Sequence, residues 1–196
     1  VDLYLNGRYD GNYQLTDQME VHKGRIEIAH QDTIVTDPTT DISGGYFLEP
    51  EGNTASDGLY FMSNQGCHIR IHDPKPDVIN KRQLSYIKAY INKFETALYG
   101  EDFSHEKRGY RQYTDTTSLI DWYLVQEISA NADGFWFSYI YKDRASELIH
   151  FGPIWDFDIC WNNCSRMGNV TQKLAIQFGY GSNYTIKGWF TRMWQD

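Results

Sequence analysis

The sequence reads NADGFWFSYIYKDRASELIHFGPIWDFD over residues 131–158, an aromatic-rich stretch with acidic residues at both ends. Residues 135–142 and 148–154 are expected to form strands, and the polar residues between them predict a turn. A hairpin returns the chain to the point where it started. The arrangement therefore predicts that Asp133, just before the hairpin, lies close to Asp156, just after it.

Asp156 and Asp158 are separated by a single residue in an otherwise apolar run. If this run is extended, both side chains point to the same face. Ionised carboxylates in apolar surroundings are costly unless a cation neutralises them, and a divalent metal is the cation we expect. One carboxylate beside a chelating pair suits phosphoryl transfer, in which one Asp orients the attacking hydroxyl and another holds Mg²⁺ against the phosphates.

The composition excludes several classes of protein. The 196 residues carry 18 basic and 26 acidic side chains, a net charge of −8, and no basic run that would bind nucleic acid. No apolar run approaches the ~20 residues that a membrane-spanning helix requires. Three cysteines without a second Cys or His pair do not predict a structural zinc site, and a disulfide between Cys160 and Cys164 stays open.

The first half of the chain is rich in predicted strands. Asn6-Gly7 predicts a hairpin turn within residues 1–16, and a short strand is expected within residues 21–28. Residues 46–48 and 59–62 suit two strands, with an exposed loop beginning Glu49-Pro50-Glu51 between them. Residues 67–72 alternate in hydrophobicity and predict a further strand.

Two helices are predicted in the second half. The first covers about residues 80–99, with a capping box formed by Asn80 and Gln83. The second covers about residues 117–131, and its expected inner face comprises Leu119, Ile120, Tyr123, Leu124, Glu127 and Ile128. Short helices are expected at about residues 173–178 and 188–194. Strands followed by helices and a hairpin predict an α+β fold rather than alternating βαβ units.

The motifs around the hairpin resemble a known family. Asn131-x-Asp133, an aromatic hairpin and then Pro153-x-Trp155-Asp156-x-Asp158 are similar to the spore-coat protein H (CotH) kinase-like family. Residues 5–13, 44–49 and 74–76 fit the same pattern in the same order. The likeness covers about residues 1–160.

The resemblance implies an atypical, divergent protein-kinase-like fold. It suggests a single domain over residues 1–196, with a β-rich part over about residues 1–76 and a helical part with the catalytic hairpin over residues 77–196. An N-terminally incomplete fragment is expected, lacking part of the nucleotide-binding lobe. The implied activity is ATP- and Mg²⁺-dependent phosphorylation of a protein hydroxyl, with surface or coat proteins as partners and a spore or cell surface as the location.

The resemblance also assigns roles to residues. Asp133 takes the role of catalytic base, Asp156 that of the metal-binding aspartate, and Asp158 is an additional candidate ligand. Ser138 stands where kinase-like catalytic loops carry an Asn as second metal ligand, and a hydroxyl is a weaker ligand. Asp17 or Glu20 is a candidate partner for the ATP-binding Lys, which is expected to precede Val1.

Two other functions fit the same residues. One is a catalytically silent surface or structural module that uses its many Tyr and Trp side chains for binding. The other is a glycosidase with Asp133 and either Asp156 or Glu127 as its carboxylate pair. A separation of ~5 Å or ~6.5–9.5 Å between the two carboxylates in an open cleft would indicate hydrolysis.

Overall fold

The computed structural model describes residues 1–31, 34–51, 58–144, 146–178 and 186–196. The strands are β1 (Asp2–Leu5), β2 (Arg8–Asn12), β3 (Tyr46–Glu51), β4 (Leu59–Met62), β5 (His68–Asp73), β6 (Ile140–Lys142) and β7 (Ile149–Phe151). The α-helices are α1 (Lys81–Tyr99), α2 (Thr116–Ser129), α3 (Ala175–Phe178) and α4 (Ile186–Met193). Antiparallel strands combined with separate helices confirm the expected α+β class.

The larger sheet has the strand order β4-β5-β3-β6-β7, and all its neighbouring strands are antiparallel. The hairpin formed by β6 and β7 therefore joins the strands from the first half of the chain through β3. β1 and β2 form a separate two-stranded sheet. Its turn is at Asn6 and Gly7, whose positive φ angles of 51° and 79° confirm the predicted hairpin turn.

The two faces of the larger sheet differ in chemistry because side chains alternate along each strand. One face of β3 and β5 packs against α1, and its core includes Tyr46, Leu48, Ile69, Ile71, Ile87, Ile91 and Phe94. On the opposite face, Phe47 packs with Tyr139 at a ring-centroid distance of 4.8 Å. The same face carries the charged side chains that are described with the candidate site.

The expected exposed loop at Glu49-Pro50-Glu51 is wrong, because these residues form the buried end of β3. Both glutamates have partners on β5, Arg70 for Glu51 and the His72 ring for Glu49, which makes their burial tolerable. Pro50 lies beyond Leu48, the last β3 residue paired with β6, so no strand on that side requires a donor from it. Residues 52 and 53, also assigned to the loop, lie outside the described residues.

The first helix confirms its prediction in detail. Asn80 accepts a hydrogen bond from the backbone N–H of Gln83, and the Gln83 side chain accepts one from the backbone N–H of Asn80. This capping box satisfies two donors that the helix itself leaves unpaired. One apolar side of the helix faces the core, with Ile87, Ile91 and Phe94 fully buried.

The predicted inner face of α2 is confirmed at Leu119 and wrong at three of its six residues. Ile120, Leu124 and Ile128 are exposed, and the buried residues are Leu119, Trp122, Gln126 and Ser129. Trp122 stacks on Phe190 of α4 with ring centroids 4.6 Å apart. The large aromatic side chain therefore decides which face of the helix turns inward.

Several shorter predictions differ from the structure. Residues 21–28 form no strand and contain only an isolated bridge between Val21 and Ile26. The strand expected over residues 135–142 is confined to β6, since a 3₁₀-helix occupies Asp133–Phe135. The two C-terminal helices are present as α3 and α4. The three cysteines are free, and no described helix is long and apolar enough to cross a membrane.

Candidate active site

Asp133 is positioned by the sharp end of α2. Ala130 adopts a left-handed conformation, and its N–H donates to the carbonyls of Gln126 and Glu127. The chain then enters the 3₁₀-helix that begins at Asp133. Gly134 packs directly on Gln126, because a Cβ atom there would lie 2.4 Å from the Gln126 Oε1 atom. Any other residue at position 134 would have to displace this buried side chain.

The segment after β7 is not extended as expected. Residues 152–157 have no regular secondary structure, and Asp156 has a left-handed φ of 55°. The alternation that was expected to align Asp156 with Asp158 is therefore absent. The two carboxyl groups are nevertheless close enough to share a hydrogen bond. The turn, rather than a strand, brings them together.

The structure confirms that the ends of the hairpin meet. Asp133 and Asp156 line the same cavity, and the Asn131 side-chain amide donates to the Asp156 backbone carbonyl at 3.3 Å. The pKa of Asp156 is raised. The largest cause is partial loss of hydration, and the negative charges of Asp158 and Asp133 add smaller effects. Three carboxylates thus influence one another, although Asp156 and Asp158 remain exposed.

The cavity that contains Asp133 and Asp156 has a volume of about 360 Å³. It is lined by Glu49, Glu51, Arg70, Asp133, Gly134, Phe137, Tyr139, Trp155 and Asp156. A second cavity of about 870 Å³ extends from the same place, between residues 14–19 and residues 154–158. The two cavities share Tyr139, Trp155 and Asp156, so a ligand in one would adjoin a ligand in the other.

Sequence reasoning missed the charged wall opposite the aspartates. The Glu51 carboxylate lies 3.3 Å from the Arg70 Nε atom, and the Glu49 carboxylate lies 2.7 Å from the His72 Nε2 atom. Burial raises the pKa of Glu51, and the positive charge of Arg70 opposes that shift. The only signal in the sequence was the shared alternation of residues 47–51 and 68–72, which places the charged residues of both segments on one face.

Ser138 is buried rather than placed in either cavity. Its N–H donates to the Pro50 carbonyl at 3.3 Å, and it is not among the described residues that line the two cavities. Asp17 lines the second cavity, where it forms an ion pair with Arg25 at 2.8 Å. Arg25 also pairs with Glu20. Both candidate partners of an ATP-binding Lys are therefore already paired with the same cation, Arg25.

Glu127 stabilises the contact between α2 and α3. Its carboxylate accepts hydrogen bonds from the backbone N–H groups of Ala175 at 2.6 Å and Ile176 at 3.2 Å. These contacts hold the start of α3 against α2. The glycosidase interpretation that pairs Asp133 with Glu127 would require breaking them.

The acidic cluster supplies carboxylates, a type of ligand that Mg²⁺ takes, but not a cage made entirely by protein. No group of three His, Cys, Asp or Glu side chains within the described ranges is arranged to hold a metal ion. Mg²⁺ is commonly held by one or two carboxylates together with water and substrate phosphates. Asp156 and Asp158 could supply two such carboxylates, and a divalent cation would relieve the like-charge contact between them.

Comparison with known families gives a match over the whole sequence. The family described as CotH kinase protein matches residues 1–196. The chain belongs to the CotH kinase family. The match confirms the resemblance seen in the motifs and extends it to the C-terminal residues of this CotH kinase family member. No curated protein and no solved structure matches the chain.

Proposed function

We propose that the chain is a phosphotransferase domain that moves the γ-phosphate of ATP to the hydroxyl of a protein acceptor. The observation that carries the proposal is the meeting of Asp133 and Asp156 at one cavity. Family membership supports the same reaction class. The acceptor that we propose is a spore-coat or cell-surface protein, by analogy with the name of the family.

Each carboxylate has a proposed role. Asp133 accepts the proton of the attacking hydroxyl or orients that hydroxyl. Asp156 and Asp158 hold Mg²⁺, which supplies positive charge against the nucleotide phosphates. Ser138 remains a candidate third ligand. For Ser138 to act in this way, its buried hydroxyl would have to become accessible to the cavity.

The test separates nucleotide binding from phosphate transfer. The full chain should bind ATP in the presence of Mg²⁺, and the Asp156→Ala variant should lose that dependence on Mg²⁺. Transfer of radiolabelled γ-phosphate to the chain itself or to casein should fall by about 10²- to 10⁴-fold in Asp133→Asn, the range expected for loss of a general base.

The matched control is Asp121→Asn, which alters an exposed aspartate of α2 and should leave both measurements unchanged. If the unaltered chain neither binds ATP nor transfers phosphate, the proposal is wrong. The catalytically silent module would then be the better interpretation.

A further inference from the structure

Arg70 is the only basic residue among the described residues that line the 360 Å³ cavity. The same lining contains four carboxylates, from Glu49, Glu51, Asp133 and Asp156. An anionic ligand entering such a cavity meets strong repulsion unless positive charge is available. Arg70 is therefore a place in this cavity where protein charge can offset that of a phosphate.

One hydrogen bond orients the Arg70 guanidinium, and only one of its three nitrogen atoms donates to a described residue. Its Nε atom donates to the Glu51 carboxylate at 3.3 Å, while Nη1 and Nη2 donate no hydrogen bond to any residue in the described parts of the chain. The side chain is 21% exposed. Nη1 also lies close to the backbone of Gly58, where an added Cβ atom would be 3.3 Å away. Packing and the ion pair thus hold the guanidinium at one end, and its outer edge makes no hydrogen bond to the part of the chain that the structure describes.

We propose that Arg70 binds a phosphate group of the nucleotide, with Glu51 as its positioning residue. The inference rests on the proposed function and adds a cation to a site that was otherwise made of carboxylates. Arginine suits this task because its planar guanidinium presents paired N–H donors to a phosphate. Glu51 occupies Nε, so within the described ranges the two Nη atoms are the donors that remain for the ligand.

A purely structural role for the ion pair makes a different prediction. Arg70 would then matter only because it neutralises the buried Glu51, and removing both charges together would leave ligand binding unchanged. The double variant Arg70→Met/Glu51→Gln distinguishes the two roles, because it leaves no unpaired buried charge that could prevent folding. Arg70→Lys retains the charge but loses the fork of donors.

The experiment measures the affinity of the full chain for ATP, ADP and adenosine with Mg²⁺ at constant ionic strength. We expect the double variant to raise the Kd for ATP and ADP by ~10- to 100-fold, the value of a charged hydrogen bond, and to leave the Kd for adenosine unchanged. Arg70→Lys should give a smaller increase.

The control is Arg108→Met, which removes an exposed arginine that does not line this cavity. Arg108 pairs with Asp102, with 3.0 Å between the Arg108 Nε atom and the carboxylate. If the unaltered chain and the double variant bind ATP with equal affinity, the proposed role of Arg70 is wrong, whereas the proposed function still stands. Equal weakening for adenosine would also overturn the role of Arg70, since adenosine has no phosphate. Absence of binding in the unaltered chain would overturn the proposed function together with this inference.

Discussion

The side-chain amide of Asn131 donates a hydrogen bond to the backbone carbonyl of Asp156 at 3.3 Å. Asn131 is buried at the end of α2, whereas Asp156 lies in the segment that follows β7. This bond ties together the two ends of the hairpin. The relative position of Asp133 and Asp156 therefore depends on a residue that carries no charge.

Removal of this tie should affect both stability and binding. In Asn131→Ala we expect the free energy of unfolding to fall by about 1 kcal/mol, the typical value of one hydrogen bond. Because the Asp156 segment loses its anchor, Mg²⁺-dependent binding of ATP should weaken as well. Urea unfolding and nucleotide titration measure the two effects. Asn12→Ala is the control, since it removes an exposed side-chain bond to Asp2. Unchanged ATP affinity in Asn131→Ala would contradict the positioning role.

The raised pKa of Asp156 makes this carboxylate a source of instability at neutral pH. The folded state favours the protonated form, so the stability contributed by the group is complete below its unfolded pKa and is lost as pH rises through its folded pKa. Asp156→Asn should therefore raise the Tm by about 1–2 °C at neutral pH without metal, a modest effect because the group is exposed. Mg²⁺ should raise the Tm of the unaltered chain and not that of the variant. A lower Tm in Asp156→Asn would disprove this account.

A second pH effect is expected from the core. Glu95 accepts hydrogen bonds from Ser63 Oγ and Trp189 Nε1, both at 2.9 Å, yet burial raises its pKa. Its contribution to stability should be complete below pH ~4.5 and decline as pH rises through the folded pKa. Unfolding by urea across a pH series should show this decline in the unaltered chain and not in Glu95→Gln. Parallel pH profiles for the two proteins would show that Glu95 does not titrate in this way.

The corrected orientation of α2 gives a direct test by substitution. Trp122 is 2% exposed and Ile128 is 70% exposed. Trp122→Ala should lower the free energy of unfolding by about 3–5 kcal/mol, because it removes a large buried side chain. Ile128→Lys should change the free energy of unfolding by less than about 0.5 kcal/mol. Chemical denaturation compares both variants with the unaltered chain. A large decrease in the free energy of unfolding of Ile128→Lys would instead support the inner face that the sequence predicted.

The sequence was most informative where local chemistry determines structure. The capping box of α1 depends on two residues three positions apart, and the turn at Asn6-Gly7 depends on the backbone preferences of adjacent residues. The meeting of Asp133 and Asp156 was also predictable, because a hairpin connects them in the chain. None of these predictions required knowledge of distant contacts.

Predictions failed where distant contacts decide the outcome. α2 carries apolar residues around much of its circumference, and contacts with distant aromatic residues, among them that of Trp122 with Phe190, select the inner face. Glu49 and Glu51 resemble loop residues until β5 provides Arg70 and His72 beside them. The register between β3 and β5 cannot be read from either segment alone.

The pairing of β3 has a consequence for how the cavity can change. Its backbone is bonded to β5 from Phe47 to Glu51, to β6 from Tyr46 to Leu48, and through the Pro50 carbonyl to Ser138. The cavity wall therefore meets a ligand with side chains rather than with main-chain amides. Side chains determine which ligand is accepted, and the backbone holds the sheet: exchanging Glu51 and Arg70 as a pair would alter the charge that a ligand meets without removing a main-chain bond of β3.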